Sequence, residues 1–138
     1  MNDRYLFRGK RKDNGKWVYG GIYYQKADEV KEEAVYIIGA SLNDVGAAYE
    51  VIPETVEQCT GLTDKNGKLI FEGDIVITNI FNTPEIRYTI TYDKQIASFI
   101  GVYRQGYAEP FTTFDDDSHC FEIIGNIHDN PELLEAHK

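Results

Sequence analysis

The chain is poor in most of the residues that announce a chemistry. Its two cysteines, Cys59 and Cys120, lie far apart in neither a metal-binding nor a redox spacing. That excludes a disulfide scaffold and leaves buried thiols in a reducing compartment as the expectation. Cations are also scarce. Fourteen Lys and Arg stand against 23 Asp and Glu, for a net charge of −9. Broad contact with a nucleic-acid backbone needs clustered cations, so nucleic acid is not an expected partner. An anionic membrane surface is disfavoured for the same reason. No apolar run approaches the ~20 residues that cross a bilayer, and Met1-Asn2-Asp3-Arg4-Tyr5 opens directly into charged sequence rather than a signal peptide. A cytoplasmic protein without membrane contact is expected.

What is abundant is β-forming. Ten Tyr and seven Phe contribute to a hydrophobic content of 42%, enough for an ordinary core, and Tyr, Val, Ile and Thr suit half-buried pleated surfaces. Asp13-Asn14-Gly15-Lys16 lies between apolar runs, the strongest short-range sign of a hairpin. Trp17-Val18-Tyr19 follows as a strand, then Gly20-Gly21 and Ile22-Tyr23-Tyr24. Residues 25–34 read as a polar loop, Val35–Ile38 as a strand, and Tyr49–Val56 as an extended stretch that must bend or lie at an edge at Pro53. The segment Gly61–Thr78 holds two turns, Asp64–Gly67 and Glu72-Gly73-Asp74, the second launching a β-branched strand. Asn66-Gly67-Lys68-Leu69-Ile70-Phe71-Glu72-Gly73 echoes Asn14 to Gly21, which predicts two similar hairpins. Ile86, Tyr88, Ile90 and Tyr92 alternate with Arg87, Thr89 and Thr91, the period of a strand with one buried face. Ser98–Tyr103 is the return strand, Gln105–Pro110 a loop, Phe111–Phe114 a short strand, and His119–Ile124 another. Asn130 as cap, Pro131 at the first position and Glu132 in the first turn predict one short terminal helix docked by its leucines.

The candidate chemistry is thin. Asp115-Asp116-Asp117 lacks the glycine and distal Glu of a calcium loop and reads as a solvated turn. His119, Cys120 and His128 do not have zinc spacings. Neither Cys59 nor Cys120 has the marks of an activated nucleophile. No catalytic, cofactor-binding or metal-binding residue is assigned, and no enzymatic activity or cofactor is expected. The residues singled out are Gly67, Glu72, Gly73 and Asp74, as backbone-shaping turn residues or an interface. Tyr88, Tyr92, Tyr103 and Tyr107 could form an aromatic contact face. Residues 4–16 carry a local basic patch, Arg4, Arg8, Lys10, Arg11, Lys12 and Lys16, with Asp3 and Asp13 the acidic residues beside them. It reads as a solvated strand face or a self-association device.

Several stretches carry a resemblance. Pro53-Glu54-Thr55-Val56, Gln58, Thr60-Gly61-Leu62, Asp64–Lys68 and Phe71-Glu72-Gly73-Asp74-Ile75-Val76 resemble the pattern of the YopX family, proteins encoded mainly by bacteriophages and prophages. Glu122–Leu134 is similar to the family's terminal motif, and Arg8 with Trp17-Val18-Tyr19-Gly20 fits its opening. Cys59 stands where an aromatic is more usual, and residues 25–50 and 104–118 match no family pattern. The strands and turns read above predict a hairpin-rich N-terminal part, residues 1–56, and a second part with the terminal helix, residues 57–138, packing as one compact unit. The resemblance implies a mainly β fold whose C-terminal half is a small Src-homology-3-like barrel. It also implies self-assembly and no known activity. A non-enzymatic phage accessory protein in the host cytoplasm is the leading expectation, a homo-oligomer or a binder of a host or phage protein. The rivals are association with nucleic acid and an acidic decoy of a host DNA-binding enzyme.

Overall fold

The structure is a computed structural model, and it describes residues 3–30, 32–40, 43, 45–78, 85–103, 107–110 and 121–135. The protein is mainly β, with two antiparallel sheets and one short α-helix. Two compact units divide it, Met1–Cys59 and Thr60–Lys138.

In the first unit β1 (Phe7–Lys10), β2 (Trp17–Gln25), β3 (Ala34–Gly39), β4 (Ala48–Val51) and the start of β5 (Glu57–Thr63) lie in the order β4-β3-β2-β1-β5. The β1–β2 turn is the expected hairpin. Gly15 adopts φ +72°, and the Asn14 side-chain oxygen accepts the Lys16 amide at 2.9 Å. Beyond β1 the chain bridges back to β4. Arg11 pairs with Val51, Lys12 N–H donates to the Glu50 carbonyl at 3.0 Å, and Ile52 N–H to the Lys10 carbonyl at 2.8 Å. Strands β1 to β4 therefore close into a small ring around Val18, Val35, Ile37 and Val51. Thr55, in the 3₁₀ turn Pro53–Thr55, seals that ring: its hydroxyl accepts the Lys10 amide at 2.8 Å and donates to the Ile52 carbonyl at 2.6 Å.

Strand β2 differs from expectation. It runs unbroken through Gly20-Gly21, because a side chain at position 20 would lie 1.7 Å from the Ile38 carbonyl oxygen. Gly20 is the close approach that lets β2 and β3 pair without interruption.

The second unit holds the rest of β5, then β6 (Leu69–Phe71) beside it, β7 (Asp74–Thr78), β8 (Ile86–Asp93), β9 (Ser98–Tyr103), β10 (Tyr107–Pro110), β11 (Phe121–Asn126) and α1 (Glu132–Glu135). Its sheet runs β10-β9-β8-β7-β11, an open order with two ends among the described residues. Ring closure thus lies in the N-terminal unit, while the sheet of the C-terminal unit is open among the described residues. The core is Ile70, Val76, Tyr88, Ile90 and Phe121, so the alternation of Ile86–Tyr92 is realised for Tyr88 and Ile90.

Three local expectations are corrected. Residues 57–63 form a strand, hidden in the sequence by polar residues and by Gly61 at φ +86°. Residues 107–110, read as loop, pair with β9; Pro110 is tolerated there because β10 is an edge strand. The Asn130 side chain turns back to accept the Asn126 amide at 3.2 Å, and it is the Asn130 backbone carbonyl that receives the Leu133 amide, at 3.1 Å.

Candidate functional site

The motif residues of the second unit are engaged with the backbone. Asp64 is 3% exposed. Its Oδ1 accepts the amides of Asn66 and Lys68, each at 2.9 Å, and its Oδ2 accepts that of Ile123 at 3.2 Å. Gly67 takes φ +80° at the turn. Gly73, at φ +86°, receives Ile127 N–H on its carbonyl at 2.9 Å and donates to the Ile90 carbonyl at 2.7 Å. Asp74 is buried, with Oδ2 accepting the Phe71 amide at 2.8 Å; Glu72 beside it is half-buried. In the terminal motif the Asn126 side-chain oxygen accepts the amides of His128 and Asp129. These residues bend strands and bind loops to them.

The other sequence candidates are scattered. Cys59 is fully buried. Among the described residues no three His, Cys, Asp or Glu converge as a metal site. Cys120, His119, Asp115-Asp116-Asp117 and Phe111–Phe114 lie outside the described residues, as does the Tyr107 side chain. Tyr88 belongs to the core, edge-on to Tyr103 at 5.2 Å and to Phe121 at 6.1 Å. Tyr92 is exposed and packs on Phe99 at 5.3 Å.

The first unit gathers cations and aromatics onto one face. In an antiparallel ladder, directly opposed residues share a face, and alternate residues along a strand share it too. Arg8 opposes Tyr19 and Lys10 opposes Trp17, while Tyr23 opposes Tyr36, their rings 6.1 Å apart. Arg8, Lys10, Trp17, Tyr19, Tyr23 and Tyr36 are thereby set on one side of the sheet. Arg8 is 5% exposed and held by Glu57 across the β1–β5 pair. Its Nε lies 3.0 Å and its Nη2 2.9 Å from Glu57 Oε1. The guanidinium so fixed sits 4.7 Å from the Trp17 ring centre, and the Lys10 ammonium 5.4 Å from the same ring. Both are within cation–π range.

Beside Trp17 lies an open cleft of about 470 Å³. Leu6, Arg11, Lys16, Trp17, Tyr19 and Tyr49 are among the residues that line it. Arg11 stacks on Tyr49, 4.3 Å from the ring centre, and grips Asp13 with two contacts of 2.9 and 2.6 Å. The hydrogen bond from Arg11 holds the Asp13 carboxyl below the ordinary carboxylate range and raises the guanidinium in turn. Lys12 is held higher by its hydrogen bond to Glu50, 2.8 Å away. Lys16 is exposed, and its ammonium has no carboxylate within ion-pair distance among the described residues. Sequence reasoning noticed the basic stretch and the Trp17 strand separately. The register that joins them, Lys10 opposite Trp17, is set by a turn closed between Arg11 and Lys16, which is longer than a two-residue Asn14-Gly15 loop, so the dipeptide alone did not give it.

A family model described as YopX protein matches residues 6–135. Among solved structures, the crystal structure of protein EF1440 from Enterococcus faecalis is similar in fold, with a TM-score of 0.55 and 24% sequence identity. That match covers 93% of this chain and 96% of the other. No curated protein matches.

Proposed function

Since the chain belongs to the YopX protein family, we propose that it is a non-enzymatic β-module that pairs with a second copy of itself, an accessory protein of phage or prophage origin acting in the host cytoplasm. One observation carries the reading: the outer half of β2. Strand β1 covers β2 only as far as Gly20. From Gly21 to Gln25, β2 pairs with β3 alone among the described residues. Within that stretch Ile22, Tyr23 and Tyr24 are 43–55% exposed, although they point to both faces.

An exposed edge with apolar side chains is a template for another strand. Tyr and other large apolar groups are enriched in contact surfaces. An antiparallel β2–β2 pair about a two-fold axis would satisfy the free edge of both copies at once. That the motif residues Asp64, Gly73 and Asp74 are engaged with the backbone supports a binding role over a catalytic one.

Light scattering after size exclusion tests this. The protein should show twice its 15.8 kDa chain mass. Ile22→Lys, which puts a charge on the exposed edge, should return it to the single-chain mass with unchanged circular dichroism. A wild-type mass of one chain at every concentration would overturn the reading.

A further inference from the structure

The uncovered stretch of β2 has two definite ends. Pairing with β1 stops at Gly20, and the strand itself stops at Gln25. The ladder also fixes which backbone groups between them are free. Along an antiparallel strand, residues alternate between those that exchange hydrogen bonds with a given neighbour and those that face away from it. Ala40 N–H donates to the Tyr19 carbonyl at 3.3 Å, so Tyr19, Gly21, Tyr23 and Gln25 turn their backbone groups towards β3. Gly39 N–H donates to the Ala47 carbonyl at 2.7 Å, away from its β2 partner Gly20, which agrees. On the other side Arg11 N–H donates to the Lys16 carbonyl at 2.9 Å, so Val18 and Gly20 turn theirs towards β1. By the same alternation Ile22 and Tyr24 present N–H and C=O where β1 has already ended. No backbone partner meets them there among the described residues.

We infer that a second copy docks on this edge in one register, with the two-fold axis passing between the two Tyr23 residues and Ile22 of each copy opposite Tyr24 of the other. The inference rests on the self-pairing reading and fixes its geometry. This register joins both free residues of both copies and sets Gly21 opposite Gln25, so the stretch is filled from end to end. A slip that sets Ile22 opposite Ile22 drives Tyr24 against Gly20, where Phe7 already sits. A slip that sets Tyr24 opposite Tyr24 leaves Ile22 against Lys26, beyond the end of the strand. A slip by one residue puts free groups against groups already bonded to β3. The side chains agree with the choice. Tyr23 meets the second copy's Tyr23, which extends the Tyr23–Tyr36 contact into a row across both copies. On the opposite face Ile22 meets Tyr24, beside Ile37 and Val35, their partners on β3. Aromatic and β-branched cross-strand pairs of this kind are favourable.

Disulfide cross-linking of the full chain reads the register. Single cysteines are placed in a Cys120→Ser background, Cys59 being fully buried, with circular dichroism of each reduced variant as the folding control. Under oxidised glutathione Tyr23→Cys should cross-link to itself and shift from 15.8 kDa to twice that mass on a non-reducing gel. Opposed residues that do not exchange hydrogen bonds lie about 4.5 Å apart at Cα, inside the range a disulfide spans. Ile22→Cys alone and Tyr24→Cys alone should stay at the single-chain mass, because each meets its own kind only diagonally, at about 7–8 Å. An equal mixture of those two variants should cross-link. Self-cross-linking of Ile22→Cys or Tyr24→Cys in place of Tyr23→Cys overturns the register and leaves self-pairing standing. A protein that scatters light as a dimer yet cross-links at none of these positions overturns the register together with the β2 contact. A single-chain mass for the unmodified protein removes self-pairing itself, and the register with it.

Discussion

Glu57→Ala is expected to destabilise the first unit by about 3–5 kcal/mol, the usual cost of removing one partner from a buried ion pair. Arg8 and Glu57 are 5% and 4% exposed, and Arg8 reaches Glu57 Oε1 through two guanidinium nitrogens, Nε at 3.0 Å and Nη2 at 2.9 Å. Without the carboxylate, the guanidinium keeps its desolvation cost and loses its main compensation. It cannot lose its proton instead, since arginine stays charged. Urea unfolding followed by Trp17 fluorescence measures the effect at the affected face, because Arg8 sits 4.7 Å from that ring. The control is the double variant Arg8→Met with Glu57→Leu, which removes both charges. Apolar replacement of a whole buried pair is often neutral or stabilising, so the double variant should recover most of the loss. A Glu57→Ala loss below about 1 kcal/mol would mean that the pair is effectively solvated. A double variant as unstable as the single one would locate the effect in packing against Trp17 rather than in charge.

Asp64→Ala should cost the second unit about 3–4 kcal/mol. Three amides converge on this carboxylate, and a hydrogen bond to a charged acceptor contributes roughly 1.5–3 kcal/mol each, less where water can replace it. Water can replace it for Asn66 and Lys68, which lie on a turn. Ile123 belongs to β11, so loss of its bond removes one of the ties between that strand and the Asp64–Gly67 turn. Two further ties act at the same junction: the Lys65 amide bonded to the Phe121 carbonyl at 2.8 Å, and the half-exposed Lys65–Glu122 ion pair at 3.3 Å. Asp64→Asn keeps an acceptor for the turn amides and presents an NH₂ to the Ile123 amide, donor against donor. It should fall about midway between wild type and Ala. Urea unfolding by circular dichroism, with an unchanged slope, reads both variants. Equal stability of Ala and wild type would remove Asp64 from the account of the fold.

Some of this architecture is legible in residue order and some is not, and particular elements show why. The Asn14-Gly15 hairpin and the alternating strand Ile86–Asp93 depend on local rules, a positive φ and a period of two, so they could be read directly. Strand β5 could not, because its pairing with β1 is supplied by residues about 50 positions away and Gly61 breaks its pattern. Strand β10 is a short edge whose only partner among the described residues is β9. Asn130 shows a different limit: as a cap it satisfies every local rule, yet its side chain is claimed by Asn126. The echo between residues 14–21 and 66–73 is true of the turns, with Gly15 at φ +72° and Gly67 at +80°. It ends there, since β2 runs nine residues and β6 three.

The candidate site divides in the same way. Gly67, Glu72, Gly73 and Asp74 were conspicuous because glycine and aspartate at turns are locally legible. The cation–aromatic face was not, because Arg8 meets Trp17 and Glu57 only through cross-strand register.

By itself the amino-acid order determined the β class, the turn glycines, the terminal helix and the family, since each is written in local backbone preference or in contiguous motifs. The tertiary structure decided which charges are buried and paired and where the ring of strands closes. It also decided which half of β2 is left uncovered. Those depend on pairings between distant segments, where each residue's partner is set by the register of a whole ladder.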